Sequence, residues 1–107
     1  MPDMVDSMRV GIVGLGLIGG SIAAGLKAAA GQYEVHAHDL DSSAMALGES
    51  LGIVDRIHHT LDTLPSAVDV LMLATPVRTL PSILPHLTEF EGVLTDVGSV
   101  KIGRAHV

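Results

Sequence analysis

The chain has 107 residues, with six Lys and Arg against twelve Asp and Glu, a formal charge of −6 with histidine neutral. The six basic residues are scattered, which argues against nucleic acid and anionic membrane as partners and leaves any phosphate to be held mainly by backbone amides. Cysteine is absent, so disulfides, thiol chemistry and Cys-based metal sites are excluded.

Apolar residues make up 48% of the chain, with 12 Gly, one Tyr and one Phe, a composition suited to close helix-on-sheet packing. No stretch of about 18 apolar residues exists to span a bilayer, and the expected compartment is the cytoplasm. Residues 1–7 lack a basic segment followed by an apolar run. They are expected to form a short disordered tail, with Met8 an alternative start.

Arg9 to Gly14 is a short apolar run closed by glycine and predicts a buried strand. Leu17 to Ala30 follows at helical spacing through Ile18, Ile22, Leu26 and Ala29, with Gly31 as the stop. Tyr33 to His38 predicts a second strand with Asp39 at its end. Ser42 or Asp41 can cap a second helix that runs to about Leu51, with Gly52 behind it. Ile53 to His58 predicts a short strand, and Asp62 to Ala67 a turn or short helix.

Asp69 to Ala74 is another buried strand, ended by Thr75-Pro76. Thr79 to Leu87 looks helical, but Pro81 and Pro85 make that helix short or kinked. Gly92 to Asp96 is the last strand. Strands alternating with helices predict an α/β fold with a parallel sheet and right-handed crossovers.

Gly14-Leu15-Gly16-Leu17-Ile18-Gly19 is a G-x-G-x-x-G between a strand and a helix. Gly14 permits the tight turn, Gly16 lets a pyrophosphate approach the backbone, and Gly19 lets the helix pack close to the first strand. Leu17, Ile18 and Gly19 open the helix, whose free N–H groups and dipole favour phosphate. No Lys-Ser/Thr follows, so this is not a Walker loop. Asp39 stands about 20 residues beyond the last glycine, where a carboxylate hydrogen-bonds both adenosine ribose hydroxyls and repels a 2′-phosphate. NAD is therefore the expected cofactor, with NADP as the alternative. Asp39 could instead cap a helix, although Asp41 suits that task equally.

His36 and His38 share one strand face, and His58 and His59 are adjacent. A third metal ligand is not evident, and solvated or helix-covered histidines are the preferred reading, with no metal. Met45 and Met72 are read as core. Asp96 is either catalytic or a cap for the following loop, and the cap is preferred.

Val10 to Ser21 (V-G-I-V-G-L-G-L-I-G-G-S), Leu51 to Asp55 (L-G-I-V-D), Ala74 to Val77 (A-T-P-V) and Thr95 to Lys101 (T-D-V-G-S-V-K) resemble, in order and spacing, the prephenate/arogenate dehydrogenase family of tyrosine biosynthesis. The resemblance covers nearly all of residues 8–101. It implies a Rossmann-type doubly wound parallel sheet, incomplete and lacking the family's C-terminal helical domain. It also implies oxidative decarboxylation of prephenate or arogenate: hydride leaves the hydroxyl-bearing ring carbon for the nicotinamide, and carbon dioxide departs.

On the same resemblance Thr75 and Pro76 line the cofactor, and Ser99 supports the catalytic histidine. That histidine belongs to a downstream H-P-I/M-A-G motif absent from the chain. The parent enzyme is implied to be a homodimer through its missing domain, and this portion alone to be inactive. The alternatives are a 3-hydroxyisobutyrate or pyrroline-carboxylate reductase type of oxidoreductase, whose fingerprints differ from G-G-S and D-x-G-S-V-K, and a non-catalytic nucleotide-sensing module. Residues 8–101 are thus expected to be the NAD-binding domain. Residues 102–107 (I-G-R-A-H-V) read as a translation of the sequencing adapter ATCGGAAGAGCACACGTC and are expected to be non-native.

Overall fold

The structure is a computed structural model and describes residues 7–29 and 31–97. Strand β1 (Met8–Val13) is the apolar run ahead of the glycines, and from Val10 onward it is buried. It lies between β2 (Tyr33–His38) and β4 (Val70–Leu73), with β3 (Arg56–Ile57) beyond β2 and β5 (Val93–Asp96) beyond β4. All pairings are parallel, and Val10 sits opposite both Val35 and Val70. The order β3-β2-β1-β4-β5 reverses direction at β1 and β4, which makes the crevice at their carboxyl ends the place where such sheets bind ligands.

Alternation along β1 feeds two cores. Val10 and Ile12 pack with Ala23, Val35, Ala37 and Val54 on one face. Val13 packs with Leu64, Leu71, Leu73, Ile83 and Leu87 on the other. Helix α1 (Leu17–Lys27) joins β1 to β2, and α2 (Ser42–Ser50) joins β2 to β3. Asp41 is the cap of α2: its carboxylate accepts from Ser43 N at 2.9 Å.

Three predicted elements are shorter than their sequence patterns. Helix α1 stops at Lys27 instead of Ala30, because its last turn tightens to an Ala29 N to Leu26 O bond before Gly31 turns at φ +83°. Strand β3 pairs only at Arg56 and Ile57 of the expected 53–58. Residues 77–87 form a 3₁₀ turn (Val77–Thr79), one α-turn, α3 (Leu80–Ile83), and a second 3₁₀ turn (Leu84–Leu87). Pro81 and Pro85 lack the N–H a continuous helix needs there.

Two ion pairs tie distant segments to the sheet. Asp69 accepts from Arg9 N at 3.0 Å and from its guanidinium at 3.0 Å, and these bonds hold its carboxyl below the usual range. Burial pushes Asp55 upward, but the Lys27 ammonium at 2.8 Å and the Val35 amide outweigh it and hold the carboxyl low.

Candidate functional site

Gly14 leaves β1 at φ +102°, where a side chain is strained, and an added Cβ would lie 2.8 Å from Thr75 Cγ2. Its amide donates to the His38 carbonyl at 2.8 Å, which ties the start of the turn to the end of β2. A Cβ on Gly19 would overlap the Gly14 carbonyl oxygen. The third glycine therefore brings α1 onto the turn, as its place in the motif predicts.

Gly16 differs from both. Its φ of −71° suits any residue, and a Cβ there would meet nothing within 4 Å. The protein itself does not require glycine at this point, whereas a pyrophosphate against the backbone does. No side chain caps α1 at Gly16, and its first turn holds no acidic residue. The amides of Leu17, Ile18 and Gly19 thus open the helix without intrahelical acceptors. The Leu17 and Ile18 side chains are 87% and 52% exposed and do not line the cavity in front of the glycine turn, so any role of theirs there is through the backbone.

Asp39 holds the loop from the other side. One carboxylate oxygen accepts from Leu15 N at 2.6 Å and the other from Asp41 N at 2.8 Å. Each oxygen keeps a further lone pair, so the anchored carboxylate can still accept two hydroxyls.

A cavity of about 460 Å³ opens in front of these groups, a volume typical of small-molecule sites. It brings together Gly14, Gly16, Asp39, Thr75 and Pro76. Among the described residues, Thr75 Oγ1 is buried with no hydrogen-bond partner. Leaving a buried hydroxyl unpaired costs about 1–3 kcal/mol, which suits an atom that meets a polar ligand. An open backbone at Gly16, unpartnered helix amides, a placed carboxylate and an orphaned hydroxyl together fit a dinucleotide.

The sequence patterns did not point to Leu40, Thr79, Ser82 or His86, which also line the cavity. Leu40 could have been found: it is a leucine directly after Asp39 at a strand end, and it is 90% exposed. The other three lie in the segment broken by prolines and have no periodicity to mark them. Ser99 and the D-x-G-S-V-K residues from Gly98 onward lie outside the described residues.

Of the two expected readings of the β2 histidines, solvated or helix-covered, the covered one is nearer: His36 and His38 are buried. Residues 57–63 cover them. His38 Nδ1 donates to the His58 carbonyl at 2.8 Å, and His36 Nε2 donates to Glu34 at 3.0 Å. His36 Nδ1 and His58 Nε2 share one hydrogen across 2.8 Å, and His58 Nδ1 meets Thr63 Oγ1 at 2.7 Å. Burial lowers the His58 pKa, and the nearby His36, Arg56 and His38 lower it further. Both ring nitrogens of His36 and of His58 are engaged in this chain. Among the described residues no three His, Asp or Glu converge as metal ligands, and no helix is long and apolar enough to cross a membrane.

The family model for the prephenate dehydrogenase nucleotide-binding domain matches residues 22–106. The glycine motif precedes that segment, so the motif and the match are separate observations. A prephenate dehydrogenase of Lactococcus lactis subsp. cremoris (strain MG1363) is 33% identical over 87% of this chain and 27% of its own length. The crystal structure of prephenate dehydrogenase from A. aeolicus in complex with hydroxyphenyl propionate and NAD+ superposes with a TM-score of 0.79 at 28% identity, over 89% of this chain and 35% of that one. Synechocystis arogenate dehydrogenase gives a TM-score of 0.72 at 31% identity, over 86% of this chain and 33% of that one. The chain therefore spans about a third or less of the relatives it matches. With a parallel Rossmann-type sheet, a cavity at its switch point and a family match over most of its length, the chain belongs to the family of the prephenate dehydrogenase nucleotide-binding domain.

Proposed function

We propose that this chain is the NAD-binding portion of a prephenate or arogenate dehydrogenase, an enzyme of tyrosine biosynthesis. The observation that carries the reading is Asp39, anchored on Leu15 N at the end of β2 and facing the same cavity as Gly16 and Thr75. The glycine turn and the first amides of α1 would hold the pyrophosphate, and Asp39 the adenosine ribose. Thr75 and Pro76 would line the nicotinamide side. NAD, when bound, supplies the hydride acceptor. NADP is disfavoured because its 2′-phosphate would face the Asp39 carboxylate.

The chain's own contribution is to bind and orient. Ser99, just past β5, is proposed to hydrogen-bond near the substrate hydroxyl and to support the histidine that takes its proton. The substrate is a small carboxylated ring, prephenate or arogenate. The parent enzyme is proposed to be a cytoplasmic homodimer, paired through a domain beyond these residues. The A. aeolicus relative, bound to NAD+ and hydroxyphenyl propionate, supports the cofactor and the substrate class.

Residues 8–101 are proposed as the NAD-binding unit and residues 102–107 as foreign to it. Sequencing the gene beyond the Lys101 codon tests that boundary: an H-P-I/M-A-G motif downstream is expected, and I-G-R-A-H-V in independent genomic reads would refute it. The function is tested by calorimetric titration with NAD and NADP. Tighter binding of NAD is expected, and tighter binding of NADP would overturn the assignment of Asp39.

A further inference from the structure

Beyond Asp39 the cavity is closed by the segment after β4, and three polar side chains of that segment line it: Thr79, Ser82 and His86. Each has its hydrogen committed to the protein. Thr79 Oγ1 donates to the Pro76 carbonyl at 2.7 Å, and Ser82 Oγ donates to the Thr79 carbonyl at 2.8 Å. His86 Nδ1 lies 2.8 Å from Asp62 Oδ1. A carboxylate only accepts, so Nδ1 carries the hydrogen. A hydroxyl whose proton is held by a carbonyl offers only lone pairs, and a neutral imidazole protonated at Nδ1 is an acceptor at Nε2. With His86 uncharged, these three side chains present acceptors and no donor.

The direction of a bound dinucleotide follows from the other groups. Pyrophosphate at the start of α1 and ribose at Asp39 send the base away from the glycine turn, toward this wall. Leu40 and Ile83 supply apolar surface along the way. We infer that Thr79, Ser82 and His86 select the base of the dinucleotide, accepting the exocyclic amine of adenine and disfavouring a purine that carries a carbonyl in its place. An amine brings two N–H donors to an acceptor-lined wall. A carbonyl brings lone pairs against lone pairs at that position and leaves the ring N1–H as the base's one donor toward the wall. Asp62 acts as a positioning residue, because it fixes which His86 nitrogen bears the hydrogen.

The inference rests on the NAD reading above, and one set of titrations separates the two. The chain is titrated calorimetrically with NAD and with nicotinamide hypoxanthine dinucleotide, whose base has a carbonyl where adenine has the amine. The hypoxanthine analogue is expected to bind about tenfold more weakly, the size of one hydrogen bond lost at a partly open site. In His86→Phe, and in Ser82→Ala at an exposed position, NAD affinity falls and the preference narrows. In the double variant the two ligands come within about twofold. Thermal melts of each variant check that the fold is retained.

Equal affinities in the wild type would overturn the inference, as would a preference unchanged in both single variants and the double variant. Failure of the chain to bind NAD at all would overturn the NAD reading and the inference with it.

Discussion

Two glycines three residues apart in the sequence differ in what the fold asks of them: it requires the second and leaves the first free to take a side chain. A Cβ on Gly19 collides with the Gly14 carbonyl, whereas a Cβ on Gly16 meets nothing. Gly19→Ala is accordingly expected to push α1 off β1 and destabilise the chain by at least about 3 kcal/mol, read as a collapse of the thermal transition. Gly16→Val is expected to melt near the wild-type temperature and to lose dinucleotide binding by calorimetry. Wild-type affinity in Gly16→Val would remove the glycine turn from the site.

Asp39 combines the two demands, since its carboxylate holds Leu15 N and faces the cavity. Asp39→Ala should weaken NAD binding by about 1–3 kcal/mol, through unmade hydroxyl bonds and a loosened turn. NADP, relieved of a facing charge, should suffer less. An equal loss for both ligands would reduce Asp39 to a structural anchor of the loop.

At the scale of elements, the histidines of β2 and the β3 loop form a chain from Glu34 through the buried His36 and His58 to Thr63. Because the His58 pKa lies below its ordinary value of 6.5, the folded state binds fewer protons than the unfolded one in the window between them. The sign follows: the stabilising contribution is intact above pH 6.5 and is lost as pH falls through that window. His58→Gln should flatten this acid limb in melts recorded across mildly acidic pH, and a limb as steep as the wild type would refute the assignment.

The same elements show what the sequence makes legible. Strand β2 has the expected bounds, 33–38, because its ends are local: a glycine turn before it and a carboxylate after it. The places of the glycine turn and of Asp39 were equally readable, since the glycine spacing marks the one and the end of the second strand the other. Which segment covers the histidines was not readable, because it depends on residues 57–63 folding back over β2. The acceptor-lined wall was hidden for the same reason. Two of its hydrogens are committed by bonds within a proline-broken segment that has no regular period, and the third, on His86, by Asp62, 24 residues earlier. Strand β3 shrank to two residues because its apolar run reaches the sheet only at Arg56 and Ile57.

For the whole molecule, cofactor binding and chemistry are expected to separate. The chain spans 27–35% of the length of the relatives compared with it, and proton removal needs a base within about 2.6–3.2 Å of the substrate hydroxyl. The 107-residue chain is expected to bind NAD yet form no NADH with prephenate or arogenate. In the full-length enzyme, Ser99→Ala should lower turnover more than NAD affinity. Sustained NADH formation by the chain alone would place the base within these residues and overturn the family assignment of roles.

The central position of β1 also sets an order in time. Its partner β2 follows after one helix, but the Arg9–Asp69 bonds that start its other edge link residues 60 positions apart. Ribosomes add about 5–20 residues per second, so roughly 3–12 s pass between the two. During that interval β1 is a hydrophobic strand with one open edge, a template for mispairing with another nascent chain. The turn at Gly14 also waits, because Thr75 packs beside it and arrives just after β4. Dinucleotide competence should therefore appear late in synthesis and abruptly, and slow decoding between Asp39 and Asp69 would lengthen the vulnerable interval without changing the finished structure.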